Sequence, residues 1–169
     1  MNPNRDLEVD IAKFELLWPL AYPKFSKVPF ATTIMRQFVK DDIIQFGQLW
    51  EKAIETQLGI VRESSEGKDF KNGDDAKLVS ARTHCSGRAY GANIPSVHNK
   101  IGKLLVAVYE KKQKQWYFFK IPNTAFSYIS SKSNIEIPFE LDGTPRRVPK
   151  RYDATNWWKY EVESFKNLK

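Results

Sequence analysis

The sequence predicts an α/β protein in which N-terminal helices pack on a mixed, mainly antiparallel sheet. Three observations carry that prediction. Apolar residues recur at helical spacing as far as Gly59, the apolar runs beyond it are short and extended, and two of those runs are joined by the four-residue polar turn "KKQK".

The run "LEVDIAKFELLW" (Leu7–Trp18) places Ile11, Phe14 and Trp18 at roughly helical spacing, and Pro19 is expected to stop the helix. Pro19, Pro23 and Pro29 then predict an irregular segment before a second short helix near "ATTIMRQFV". The strongest helix pattern is "DDIIQFGQLWEKAIETQLG" (Asp41–Gly59). Acidic residues open it, Ile43, Phe46, Trp50 and Ile54 form one stripe, and Gly59 suits its end. Glu51, Glu55 and Leu58 fall on an adjoining face. Beyond Gly59, "AKLVSAR", "KLLVAVYE", "QWYFFKIP" and "IEIPFE" read as strands, and Lys103–Pro122 as an antiparallel hairpin. The polar, glycine-punctuated stretch from Arg82 to Lys100 reads as a recognition loop.

With 169 residues the chain is expected to form a single domain spanning 1–169. Lysine and arginine number 27 against 20 acidic residues, giving a formal charge of +7 that favours polyanionic partners. Cys85, the single cysteine, excludes an intramolecular disulfide. With neither a secretory pattern nor a membrane-length apolar run, the expectation is a reducing, cytoplasmic location with no membrane partner.

The chemistry-bearing stretch is "GKDFKNGDDAKLV" (Gly67–Val79). If Asp75 to Ala81 is a strand, Asp75 and Lys77 share one face, while Ala76 and Leu78 are expected to face the core. The turn "KNG" can fold Asp69 back beside Asp75. Two adjacent carboxylates repel unless a hard divalent cation joins them, and magnesium binds through one or two carboxylates plus substrate phosphate. A lysine beside them can orient or help deprotonate a water and stabilise charge developing on a phosphodiester in transit. The competing reading is a solvated turn, with Lys68, Lys71 and Asp74 left to solvent in either case.

Together with the residues upstream, this stretch resembles the active-site region of the PD-(D/E)XK nuclease superfamily, in particular its MutH-type branch of restriction and mismatch-repair endonucleases. Glu55-Thr56-Gln57-Leu58-Gly59 is similar to the branch's helical Glu-x-x-Leu-Gly. Asp69-Phe70 and Asp75-Ala76-Lys77 follow in the branch's order and with similar spacing. The departures are an aspartate at 75, where the branch more often has glutamate, and a spacer about one residue shorter. The shorter spacer makes Asp74 an alternative to Asp75, and strand alternation with Lys77 favours Asp75. The resemblance implies a restriction-endonuclease-like core with Asp69 and Asp75 as Mg2+ ligands. It makes Lys77 the water-positioning or charge-stabilising residue and Glu55 a supporting carboxylate, with Glu51 the alternative for that last role. The implied activity is sequence-specific hydrolysis of double-stranded DNA, type II restriction enzyme-like, leaving 5′-phosphate and 3′-hydroxyl ends. Cutting both strands of a palindrome suits a homodimer. A nicking or homing endonuclease would carry the same residues, and a non-catalytic basic nucleic-acid-binding module is the alternative from another class.

For the grip on DNA, Arg146, Arg147, Lys150 and Arg151 in "RRVPKRY" are candidates for phosphate contact. Arg82, His84, Arg88, Asn93, His98 and Asn99 are candidates for reading base edges. His84, Cys85 and His98 lack paired zinc-ligand spacing. Trp157 and Trp158 are expected to complete a core or a dimer contact.

Overall fold

A computed structural model describes residues 5–63, 69–83, 87, 89–127, 132–150 and 155–169. The chain is α/β and divides into two compact units, residues 1–62 and 63–169. Among the described residues no helix is long and apolar enough to cross a membrane.

The first unit holds three helices: α1 (Leu7–Ala21), α2 (Pro29–Lys40) and α3 (Phe46–Leu58). Asp6 caps α1 by accepting the Val9 N–H, and Glu8 and Asp10 favour its positive end. Pro19 does not stop the helix, contrary to the sequence expectation. The last turn survives because α3 satisfies its carbonyls: Thr56 Oγ1 donates to Ala21 O and Gln57 Nε2 to Leu20 O, while Leu17, Trp18 and Ala21 are buried. Pro29 occupies the first turn of α2, where a missing N–H costs nothing. Arg5 ties the ends of the first two helices together, pairing with Asp10 at 2.8 Å and donating to the carbonyls of Val39 and Lys40.

The third helix begins at Phe46, not at the acidic pair. Asp41 caps α2 and Asp42 takes φ +59°, so both belong to the turn between helices, and Ile43 is exposed. Leu49, Trp50, Ala53, Ile54 and Leu58 form the buried face, and Gly59 ends the helix in the left-handed conformation that glycine adopts without strain, φ +71°. Phe14, Trp18 and Val39 form a core cluster of this unit, flanked by Tyr22, Met35, Ile44 and Phe46.

The second unit is a six-stranded sheet: β1 (Asp75–Thr83), β2 (Tyr90–His98), β3 (Lys103–Glu110), β4 (Gln115–Pro122), β5 (Lys132–Phe139) and β6 (Glu161–Val162), in the order β5-β2-β1-β3-β4-β6. Only the β1–β3 pairing is parallel. The predicted hairpin forms with the expected bounds, and Glu110 anchors it. Its buried carboxylate accepts the Tyr90 hydroxyl at 2.6 Å and the Lys112 and Gln113 N–H groups. The β2 strand takes up Tyr90–His98 of the expected recognition loop. Tyr90, Ala92, Ile94 and Val97 are buried, and a bulge between Ile94 and Val97 absorbs Pro95 and Ser96, the latter at φ +55°.

The core of this unit gathers Ala81, Ala92, Ile94, Leu104, Val106, Val108, Phe119, Ile121, Ile137 and Phe139 on one face of the sheet. Trp157 and Trp158 complete it: both are buried, and Trp158 Nε1 donates to Pro138 O at 2.8 Å while its ring meets Tyr117, Phe119 and Phe139 edge-on.

Candidate active site

The turn that opens β1 is built by asparagine and aspartate chemistry. Gly73 at φ +91° lets the chain reverse, and Phe70 N–H closes the turn on Asp74 O while its ring is fully buried. Asn72 Oδ1 accepts the Asp74 N–H and its amide nitrogen returns a hydrogen bond to Asp74 Oδ2. Asp74 Oδ1 accepts the Lys103 N–H at 2.9 Å, so its carboxylate fastens this turn to the start of β3. Gly102 is the neighbour this fastening requires, because a Cβ there would lie 2.8 Å from Asp74 Oδ1. Asp74, expected in solvent, is therefore buried and fully engaged as a structural group, which removes it as the alternative to Asp75.

Asp69 is brought back across this turn to the first residues of β1. Its Oδ2 accepts the Ala76 N–H at 2.8 Å, while its carbonyl accepts from Glu63 N–H. Asp75 is 8 % exposed. Burial, and then a hydrogen bond and the negative charge of the Asp69 carboxyl, push the Asp75 carboxyl up to about 8; the Lys77 charge and the Asp69 N–H oppose this without cancelling it. Asp69 thus stands beside the first residues of β1, where its carboxyl and the Lys77 charge both act on Asp75.

The face on which they stand differs from the expectation. Asp75 pairs in register with Leu104 and Lys77 with Val106, and both partners belong to the core face. Asp75 and Lys77 therefore share that face, at its polar margin, while Ala76 and Leu78 lie opposite. The sheet register explains the reversal: β1 is an inner strand, so both faces carry apolar residues and alternation alone does not say which one is the interior.

Glu55 lies in the helical unit. Its Oε2 accepts the Arg62 N–H at 3.0 Å and Oε1 pairs with Lys52 at 3.5 Å, and the Arg62 bond first, then Lys52, hold its carboxyl below the ordinary range despite some burial. It closes the chain behind α3, where its own carbonyl accepts the Gly59 N–H.

The residues expected to grip DNA are scattered. Arg82 pairs with Gly91, Asn93 with Glu136 and His98 with Lys132, which puts Arg82, Asn93 and His98 on the sheet face opposite Asp75. His98 Nδ1 accepts the Lys100 N–H, and Asn99 O accepts from Asn123, so both shape the turn into β3. Arg146 is buried and does not offer its guanidinium to a phosphate. Arg147 binds Glu161 at 2.8 Å and stacks 4.8 Å above Trp158, and Lys150 pairs with Glu140 at 3.5 Å. His84, Arg88 and Arg151 lie outside the described residues.

Among the described residues there is no group of three or more histidine, cysteine, aspartate and glutamate side chains set to hold a metal. A two-carboxylate set fits a hard cation such as Mg2+, which completes its octahedron with water and phosphate oxygens, and does not fit zinc. The donor chemistry agrees: a buried Asp75 carboxyl pushed up to about 8 beside a second carboxylate is a group whose charge a divalent cation would relieve. The turn through Asn72 and Gly73 was legible in the sequence, whereas Asp74 as its fastening to β3 was not, although Asn-Gly-Asp is a turn signature that could have disclosed it. No family model matches the chain, and neither any curated protein nor any solved structure matches it significantly.

Proposed function

We propose that the chain is a Mg2+-dependent endonuclease of double-stranded DNA with a PD-(D/E)XK-type site formed by Asp69, Asp75 and Lys77, on a restriction-endonuclease-like core. The observation that carries this reading is the return of the Asp69 carboxylate to the start of β1, where it accepts the Ala76 N–H next to the buried Asp75 and two residues from Lys77, across a turn whose Asp74 fastens it to β3. Phosphodiester hydrolysis is the chemistry such a set serves best. Asp69 and Asp75 would hold the cation, which when bound supplies positive charge against a phosphate oxygen. The Lys77 ammonium, two residues along the same strand face, would orient the attacking water and offset negative charge as it grows on the phosphate. Glu55 would keep the supporting role that the resemblance implies, and within the helical unit its carboxylate fixes the chain at Arg62. The net charge of +7 supports a polyanionic substrate, and cleavage of both strands would suit a two-fold dimer.

Incubating supercoiled plasmid and varied linear DNA with wild type, Asp75→Ala and Lys77→Ala, with and without Mg2+, tests the proposal. Cleavage by wild type only with Mg2+, lost in both variants while DNA binding persists, supports it. DNA binding with no cleavage by wild type would identify a non-catalytic basic binding module instead.

A further inference from the structure

The sheet is open along β5, its edge strand. One end of that edge is covered: Phe139 bridges to Pro145, and the Pro138 carbonyl accepts from Arg146 N–H and Trp158 Nε1. The chain leaves the edge after Arg146, since Arg147 stacks on Trp158 and Lys150 pairs with Glu140. Backbone groups along a strand alternate in direction, and the outward Pro138 carbonyl fixes that alternation. The N–H and C=O groups of Ile135, Ile137 and Phe139 face β2, and those of Lys132, Asn134 and Glu136 face away from it. Lys132, Asn134 and Glu136 are all exposed, and among the described residues nothing hydrogen-bonds to the outward backbone groups of Asn134 and Glu136. Such an edge is a template for another strand.

Two separate features say which strand fits. The outward groups of Lys132, Asn134 and Glu136 are centred on Asn134, so a second β5 running antiparallel about a two-fold axis at Asn134 uses all of them. Asn134 then exchanges hydrogen bonds with its own counterpart, and Lys132 with the other copy's Glu136. The same register sets the Lys132 ammonium opposite the Glu136 carboxylate on both sides of the axis. Moving the axis to Lys132 or to Glu136 would instead oppose like charges. Neither side chain is ion-paired among the described residues. The nearest titratable groups on this face of the sheet, His98 beside Lys132 and Arg82 beside Gly91, stand on the inner strands β2 and β1. Charges on an edge strand ordinarily keep a second strand away, but opposite charges equidistant from the axis draw one in.

We infer that the outer edge of β5 pairs antiparallel with the β5 of a second copy of this chain, joining two six-stranded sheets into one. A foreign strand could satisfy the backbone groups, whereas a second copy supplies the opposing charges in register by symmetry. At about 3.4 Å per residue the paired stretch is about 17 Å long, which covers much less than the about 800 Å² per partner of a standard interface. Association is therefore expected to be weak, in the range between micromolar and millimolar. Pairing at this edge uses none of the carboxylate site and stands whether or not the chain cleaves DNA.

Sedimentation velocity from micromolar to millimolar concentration, with amide hydrogen exchange read by NMR, tests this on wild type, Lys132→Glu, Glu136→Lys and the double variant. Both positions are exposed, and circular dichroism checks that folding is unchanged. The expected result for wild type is a concentration-dependent dimer in which exchange of the Asn134 and Glu136 amides slows as the dimer forms. Each single variant should dimerise about ten-fold or more weakly, because like charges then face each other. The double variant should recover the dimer, and so should an equal mixture of the two single variants, in which an acidic edge meets a basic one. A wild type that stays monomeric at millimolar concentration would overturn the inference. So would a dimer whose Asn134 and Glu136 amides exchange as fast as in dilute solution, or one indifferent to both charge reversals.

Discussion

Replacing Asp75 by asparagine should make the metal-free protein more stable and, under the proposed function, abolish DNA cleavage. The Asp75 carboxyl rises from an ordinary 3.8 to about 8 on folding, chiefly through burial and the adjoining Asp69 carboxyl. Because its folded value lies above its unfolded value, the native state holds a proton that the unfolded chain releases across that interval. Stability is therefore full below the lower value and declines as pH rises towards about 8. At about 1.4 kcal/mol per pH unit the ceiling is about 6 kcal/mol, and relaxation around a pair at the polar margin of the sheet reduces the expected effect to about 1–3 kcal/mol. Asparagine carries no charge to bury and can still hydrogen-bond to Asp69. Chemical denaturation of both proteins without metal should give similar stabilities at acidic pH and a widening advantage for Asp75→Asn as pH rises. Mg2+ should then stabilise wild type and leave the variant unchanged. If wild-type stability rose in parallel with the variant through neutral pH, Asp75 would not be holding a proton in the folded state, and the site as described would be wrong.

Three further substitutions separate structure from chemistry. Asp74→Ala strips the acceptor from the Lys103 N–H and the partner from Asn72, so it should lower stability by about 1–3 kcal/mol in a denaturant titration and leave the metal-binding carboxyls in place. Lys77→Met keeps the side-chain length and removes the charge; single-turnover cleavage should slow by about 100-fold or more with DNA binding retained in a filter assay. Gly143→Ala forces a side chain into a φ of +91° and sets its Cβ 2.6 Å from the buried Glu110 carboxylate, so a loss of about 2 kcal/mol or more should appear as a lowered melting temperature.

What the sequence disclosed follows physical lines. The Lys103–Pro122 hairpin was legible to the residue because both strands are long, apolar and joined by a short polar turn. The Tyr90–His98 strand was not, since Gly91, Asn93, Pro95 and Ser96 dilute a buried alternation that Tyr90, Ala92 and Ile94 do carry, and a bulge breaks its period. Pro19 misled because a helix terminus can borrow hydrogen bonds from a neighbouring helix, which no local pattern records. In the candidate site, the order Asp69, Asp75, Lys77 and the intervening turn announced the convergence. The burial of Asp74 and the orientation of Asp75 and Lys77 towards the core face depend on the register of β1 with β3, a parallel pairing between segments far apart in the chain. The scattering of Arg82, Asn93, Arg146 and Arg147 has the same origin: residue type suggested a grip on DNA, and strand register and burial decided where each side chain stands.

The central claim is that Asp69 and Asp75 together hold one divalent cation. Calorimetric titration with Mn2+, a tighter-binding surrogate for Mg2+, in two buffers of different ionisation enthalpy at neutral pH tests it most directly. The account predicts one ion per chain, release of about one proton on binding as the Asp75 proton leaves, and loss of both signals in Asp75→Asn. Unchanged binding in that variant, or binding by wild type without proton release, would contradict it.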